Sequence, residues 1–241
     1  MEKNKNDVLS IDLETYSSVD IKKSGMYKYI ESEDFEILLF AYSLNGEEPH
    51  VVDILQGETI PSDIIARLDD CKTELRAYNA AFEYTALKRA GFETNLNQWK
   101  CTMAQGLYAS YPAGLGEIAK ALELDDKHLK DAKGKALIKQ FSTDAGAGKK
   151  KWRNYPKDDP VNWQAYKEYN KQDVIAEMAV LNALEKFEMP EAEWRLWRLD
   201  VKTNLRGVKL DREFFESVLE YDELLKESLM EEFKELTNGV N

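Results

Sequence analysis

The chain has 241 residues, which is enough for one α/β domain of ordinary size and a short additional element. A net charge of −12 argues against a protein that coats nucleic acid non-specifically, and a hydrophobic content of 43% argues against global disorder. Two cysteines are too few for a disulfide scaffold or a zinc cage, and no apolar run approaches the roughly 20 residues of a membrane helix. With no secretory signal at its start, the sequence predicts a cytoplasmic protein.

The first part of the chain is predicted to form strands. The dipeptide Asn45-Gly46 separates two apolar runs, which is a strong signal for a β-hairpin. The predicted strands are 8–13, 35–44, 49–55 and 74–79. The last of them leads into a helix that stops at Gly91.

From residue 102 onward the pattern is mainly helical. The longest predicted helix, 163–187, has an apolar stripe that begins at Val174. A further helix stops at Gly207, and Asp211 caps a last one. Strands followed by helices predict the α/β class, here a mixed β-sheet flanked by helices with a C-terminal helical extension.

Two carboxylates stand at the end of the first predicted strand. Asp12 and Glu14 are two residues apart, so both point to one face of the strand, whereas Ile11 and Leu13 point to the other. Like charges side by side are destabilising unless a cation joins them, and hard oxygen ligands favour Mg²⁺ or Mn²⁺. Taken alone, such a pair is more often a solvated strand end.

Two further candidate positions lie on predicted helices. Tyr169 and Asp173 are four residues apart and share one helix face beside the apolar stripe, where a carboxylate needs a partner such as a metal. Asn79 stands at a strand end and Glu83 in the first turn of the next helix. A helix cap and the helix dipole would explain both residues without any functional site.

Together these residues resemble the motifs of the DEDD exonuclease superfamily, which has a ribonuclease-H-like fold. The residues that match its three motifs are Asp12, Glu14, Asn79, Phe82, Glu83, Tyr169 and Asp173. A tyrosine four residues before the final aspartate is typical of the tyrosine branch of the superfamily. Glu83 departs from the pattern, because the family usually has aspartate there, and the extra methylene moves the carboxylate outward by about one bond length.

Longer segments resemble bacteriophage-type family A DNA polymerases. Residues 100–122 are similar to the segment between the second and third motifs in their proofreading domains and in ribonuclease D. The segment 11–43 resembles the start of such polymerases, and 193–216 resembles the passage into the polymerase domain. The resemblance implies an exonuclease domain at 1–187, followed at 188–241 by a helical linker and the start of a truncated polymerase domain.

The resemblance also implies a mechanism and cofactors. The chain would be a proofreading 3′→5′ exonuclease of DNA replication that releases nucleoside 5′-monophosphates from single-stranded or frayed DNA 3′ ends, with two Mg²⁺ or Mn²⁺ ions about 3.5–4 Å apart. Asp12 would bridge the two ions, and Glu14 and Asp173 would hold the ion that activates the attacking water. Tyr169 would orient that water, and Glu83 would support the ion near the leaving 3′ oxygen.

Contacts to nucleic acid are expected beyond the acidic residues. Aromatic rings, among them Tyr84, would stack on bases near the 3′ end, and basic residues would hold phosphates. The residues expected to make these contacts are Tyr16, Asn79, Phe82, Lys149, Lys150, Lys151 and Arg153. A solvated surface explains the basic residues equally well.

Three other interpretations stay open at the level of the sequence. An RNA 3′ exonuclease similar to ribonuclease D would share the chemistry and differ in substrate. A catalytically silent DNA-binding domain would account for glutamate at position 83. A protein-interaction module would depend only on the acidic charge of the C-terminal helices.

Overall fold

The computed structural model describes residues 6–125, 134–144 and 153–239. Lys149, Lys150 and Lys151, which are predicted to contact phosphates, lie outside these ranges. The chain divides into two compact units, Met1–Val201 and Lys202–Asn241. The predicted boundary between residues 187 and 188 stays a prediction.

The strands of the described residues form one mixed sheet in the order β3-β2-β1-β4-β5. They are β1 (Val8–Tyr16), β2 (Glu36–Leu44), β3 (His50–Asp53), β4 (Glu74–Ala77) and β5 (Trp99–Cys101). β1 and β3 pair with β2 in antiparallel fashion, whereas β4 runs parallel to both β1 and β5. Asn45 and Gly46 have positive φ angles, as a tight hairpin turn requires, so the predicted hairpin is confirmed.

The described residues also form helices. In the described part of the chain they are α1 (Ile21–Ile30), α2 (Ser62–Asp69), α3 (Ala80–Arg89), α4 (Thr102–Tyr108), α5 (Leu115–Ala121), α6 (Gly134–Phe141), α7 (Pro160–Ala183), α8 (Glu191–Arg206) and α9 (Arg212–Leu236). The predicted helix 163–187 corresponds to α7. It begins earlier than predicted, because the Asp159 side chain caps it and Pro160 suits its first turn. It also ends earlier than predicted, at Ala183.

The alternation of side chains along β1 decides which face of the sheet carries polar groups. Leu9, Ile11 and Leu13 belong to a core cluster that also contains buried residues of α1, α2 and α3. Tyr16 belongs to a second cluster with residues of α6 and α7. Because side chains alternate along a strand, Asp12 and Glu14 share the face of Tyr16 and lie under α7.

The second compact unit is Lys202–Asn241. Its main element is α9, which the Asp211 side chain caps by accepting a hydrogen bond from the Phe214 N–H at 3.0 Å, as predicted. No residue of α9 is buried, and its large apolar side chains are exposed. None of the helices in the described residues is both long and apolar enough to cross a membrane.

Candidate active site

Three carboxylates from distant parts of the chain form one cluster. Asp12 and Glu14 on β1 and Asp173 on α7 each place an oxygen within 4.8 Å of the others. Glu14 and Asp173 are buried, and Asp12 is partly exposed. Oxygen donors gathered at this spacing suit a hard divalent cation, whose charge would offset the repulsion among them. The structure thus brings together three of the residues that the sequence proposed as metal ligands, and their roles stay predictions.

The local course of β1 opens the sheet at this point. β1 pairs with β4 only from Val8 to Ser10, two residues before Asp12. On the other side its register against β2 shifts between Glu14 and Thr15, and such irregularities re-aim side chains at the ends of strands. The carboxylates therefore lie where parallel strands end, which is the usual place for a ligand in an open α/β sheet.

Two neutral side chains of α7 bind the β1 carboxylates directly. The amide of Asn170 donates a hydrogen bond to Asp12 Oδ2 at 2.6 Å, and the Tyr166 hydroxyl donates one to Glu14 Oε2. Both donors are fully buried. Neither was predicted from the sequence, although they are four residues apart, the same spacing as Tyr169 and Asp173.

Tyr169 is held in a narrow slot. Its ring stacks on that of Tyr166 with centroids 6.2 Å apart, and Gly134 lies so close that a Cβ there would be 2.0 Å from the ring. Burial, together with the negative charges of Asp173 and Glu14, raises the pKa of the Tyr169 hydroxyl far above its ordinary value. The raised pKa keeps the hydroxyl protonated, and a protonated hydroxyl at this position can orient a water molecule.

Glu83 lies next to the three-carboxylate cluster but is not part of it. Its carboxyl group is buried, and Oε2 has no hydrogen-bond partner among the described residues. Burial raises the pKa of Glu83 well above its ordinary value, and the negative charges of Asp12 and Glu177 raise it further. An unpartnered buried oxygen beside an acidic cluster fits a cation, because a nearby positive charge would favour the ionised carboxylate.

Glu177 is a buried acid of α7 that the sequence analysis did not single out. It accepts a hydrogen bond from the Thr102 hydroxyl, and burial raises its pKa. Its position one helical turn beyond Asp173 is the only signal that could have placed it near the site.

The residues at the start of α3 that are predicted to contact nucleic acid differ in their exposure to solvent. Asn79 precedes α3 and is exposed, but its side chain makes no capping hydrogen bond, contrary to the sequence-based explanation. Phe82 is half-buried, with its ring 6.2 Å from that of Tyr29. Tyr84 is buried edge-on against Trp99 and contributes to the core, and its stacking on a base stays a prediction.

Tyr16 and Arg153 contact each other. The guanidinium of Arg153 lies 3.9 Å from the centroid of the Tyr16 ring and pairs with Glu36 at 2.5 Å. In this arrangement the Arg153 charge is matched by a carboxylate and the Tyr16 ring is covered. Their predicted contacts to a phosphate and a base would require this pair to open.

Comparison with known proteins finds sequence similarity to a phage DNA polymerase. No protein-family model matches the chain. Over 237 residues the chain is 41% identical to a DNA polymerase of Bacillus phage SP02, and the match covers 97% of the chain. The chain is a relative of a phage DNA polymerase. It spans about a third of this relative, since the match covers 36% of the polymerase.

Solved structures share the fold at low sequence identity. A nuclease in its apo form has a TM-score of 0.53 at 18% identity, covering 83% of this chain and 85% of that one. NrnC of Brucella melitensis with bound Mg²⁺ has a TM-score of 0.52 at 19% identity, covering 85% and 89%. Ribonuclease D of Escherichia coli has a TM-score of 0.53 at 14% identity, covering 83% and 46%.

These likenesses confirm the predicted ribonuclease-H-like fold, a mixed sheet flanked by helices. At 14–19% identity, these solved structures show the fold of the chain and not its activity.

Proposed function

We propose that this chain is a metal-dependent 3′→5′ exonuclease domain that removes nucleotides from DNA 3′ ends within a larger family A DNA polymerase. The observation that carries the proposal is the cluster of Asp12, Glu14 and Asp173 beside the buried hydroxyl of Tyr169. The phage polymerase relative supports DNA as the substrate and a polymerase domain as the partner. It also supports a bacterial or phage-infected cell as the place of action.

Divalent cations, Mg²⁺ or Mn²⁺, are the proposed cofactors. Two of them would assist the hydrolysis of one phosphodiester bond. Asp12, Glu14 and Asp173 would hold them, and Glu83 would contribute a fourth carboxylate from α3. The structure of NrnC with bound Mg²⁺ supports a divalent cation on this fold. When bound, the cations would lower the pKa of an attacking water and neutralise the phosphate.

The remaining chemistry belongs to side chains of this chain. Tyr169, a neutral phenol, would orient the attacking water through its hydroxyl and keep the proton on its own oxygen. Because its pKa is raised, the carboxyl group of Glu83 would release a proton when a divalent cation binds beside it. The proposed exonuclease domain covers residues 1–187, and residues 188–241 would lead toward the polymerase domain.

The test uses purified chain and 5′-labelled single-stranded DNA. With Mn²⁺ the label should move to progressively shorter products, and EDTA should stop the reaction. Asp12→Ala and Asp173→Ala should abolish turnover while leaving the circular dichroism spectrum unchanged. As a matched control, Glu220→Ala removes an exposed acid of α9 and should keep the rate of the wild type.

Substrate choice and the departure at residue 83 need separate experiments. DNA and RNA oligonucleotides of one sequence should be degraded at different rates, with DNA the faster. A faster rate on RNA would favour an enzyme of the ribonuclease D type. Glu83→Asp should retain activity, because the carboxylate is kept. DNA binding without turnover in either cation would refute the proposal in favour of a silent binding domain.

A further inference from the structure

The helix α7 follows the course of β1 and meets its polar residues in order. Tyr166 donates a hydrogen bond to Glu14, Asn170 donates one to Asp12, and Ser10 donates one to Glu177. Residues four apart on a helix share a face, so one face of α7 presents a polar group at each turn to alternate residues of β1. Two of these contacts end on proposed cation ligands.

We propose that Tyr166 and Asn170 are positioning residues, which hold the carboxylates of Glu14 and Asp12 in the geometry that binds the cations. This inference rests on the proposed function. A carboxylate has about four acceptor sites on its two oxygens, so one donated hydrogen bond fixes its orientation and leaves sites for a cation.

The orientation of the Tyr166 hydroxyl is itself fixed. Its oxygen lies 2.6 Å from Ser142 Oγ, and because its own proton goes to Glu14, Ser142 donates to it. The ring stacks on that of Phe141, with centroids 5.6 Å apart and an interplanar angle of 22°, and on that of Tyr169, at 6.2 Å and 10°. A donor with so little freedom can hold Glu14 without losing further entropy on cation binding.

Asn170 fixes Asp12 in a similar way. Its amide nitrogen lies 2.6 Å from Asp12 Oδ2 and 3.3 Å from the Asp12 backbone carbonyl, so both the side chain and the strand are held. Its Oδ1 is buried and has no hydrogen-bond partner among the described residues, which leaves an acceptor beside the cluster. The amide nitrogen of Asn170, and not its oxygen, faces Asp12, because the carboxylate of Asp12 accepts hydrogen bonds and needs a donor.

The neutrality of both donors matters for cation binding. A lysine or arginine in either position would orient a carboxylate but also cancel its charge, and so compete with the cation. A phenol and an amide orient the carboxylates and leave their negative charge for the metal. This division of tasks predicts an effect on cation affinity rather than on catalysis with the cation bound.

The decisive variant is Tyr166→Phe, which removes one hydroxyl and keeps the stacked ring. Mn²⁺ binding to the full chain is measured by titration calorimetry, and exonuclease rates are measured across Mn²⁺ concentrations. We expect the dissociation constant for Mn²⁺ to rise about 10- to 100-fold, the usual effect of losing a group that orients a metal ligand. The Mn²⁺ concentration for half-maximal rate should rise in parallel, and saturating Mn²⁺ should restore most of the maximal rate.

The matched control is Tyr29→Phe. Tyr29 is also buried, and its hydroxyl bonds at 3.0 Å to Thr15, a neutral residue next to Glu14. Its loss should leave Mn²⁺ binding near that of the wild type. Asn170→Ala should weaken Mn²⁺ binding as Tyr166→Phe does. Should Tyr166→Phe fail to fold, Ser142→Ala loosens the same hydroxyl from behind and should weaken binding to a smaller degree.

Wild-type affinity for Mn²⁺ in Tyr166→Phe, or an equal loss in Tyr29→Phe, would overturn the inference. So would a rate loss that saturating Mn²⁺ does not restore, because that indicates general damage. The calorimetric measurement of Mn²⁺ binding distinguishes a failure of this inference from a failure of the proposed function. If the wild type binds Mn²⁺ but degrades no DNA, the proposed function fails, whereas the effect of Tyr166→Phe on binding is still measured. No Mn²⁺ binding by the wild type would overturn both.

Discussion

One methyl group at residue 134 should disable Tyr169 without changing any carboxylate. Gly134 begins α6, and a Cβ at this position would lie 2.0 Å from Cε2 of the Tyr169 ring. Non-bonded carbons rest about 3.5–4.0 Å apart, so the ring would have to move by roughly 1.5 Å. Because the ring is buried and stacked on Tyr166, this movement displaces the hydroxyl from the acidic cluster.

We expect Gly134→Ala to lower the rate of the chemical step about 100-fold, since misplacing a group by about 1 Å can have that effect. The effect on folding should be small. Alanine favours a helix over glycine by roughly 0.5–1 kcal/mol, which offsets part of the roughly 1–3 kcal/mol that overpacking costs. Single-turnover rates on 5′-labelled DNA at saturating Mn²⁺ measure the first effect, and thermal melting in EDTA measures the second.

A second glycine provides the control. Gly106→Ala would place a Cβ 2.5 Å from Cδ1 of Ile118, a similar clash in a different helix, and should keep a rate near that of the wild type. In a Tyr169→Ala background, Gly134→Ala should cause no further loss, because the group it displaces is gone. A wild-type rate for Gly134→Ala would refute the reasoning. So would a further 100-fold loss of rate when Gly134→Ala is added to Tyr169→Ala.

The other predictions concern stability. Burial and negative neighbours raise the pKa of Glu83, so its stabilising contribution is present below the ordinary value of 4.5 and is lost as pH rises toward the raised pKa. In EDTA, Glu83→Gln should therefore raise Tm over the wild type more at about pH 8 than at about pH 5, by calorimetry. Mn²⁺ should raise the wild-type Tm more at about pH 8 than at about pH 6, because it binds ionised carboxylates, and equal shifts would contradict this linkage. Trp163→Phe removes the indole N–H that donates to the buried Asp53 at 2.7 Å, and should lower the free energy of unfolding in urea by about 1–3 kcal/mol. Trp197→Phe should change it much less.

The periodicity of side chains along strands and helices was enough to predict a large part of the candidate site. Asp12 and Glu14 alternate with core residues in a strand, and Tyr169 and Asp173 share a helix face, so periodicity alone assigned their directions. That these two faces meet is a matter of topology, which periodicity does not encode. It came from the resemblance of the motifs to a known superfamily.

The residues that the sequence did not reveal depend on long-range packing. The roles of Tyr166 and Asn170 depend on their partners on β1, which the sequence does not show. An aromatic or amide side chain on a helix alone is compatible with many ordinary packing roles. Short elements also escaped prediction. β5 has only three residues, too few to show alternation, and α1 is interrupted by Gly25 at φ 79°.

The exposed surface of α9 has a consequence for how long its backbone hydrogen bonds survive. A helix in water is marginal without an apolar face to bury, and no side chain of α9 is buried. The amide protons of α9 in this chain should therefore exchange with deuterium orders of magnitude faster than those in the middle of α7. Covering its row of apolar side chains would slow that exchange, which makes the deuterium uptake of α9 a direct reporter of anything that binds there.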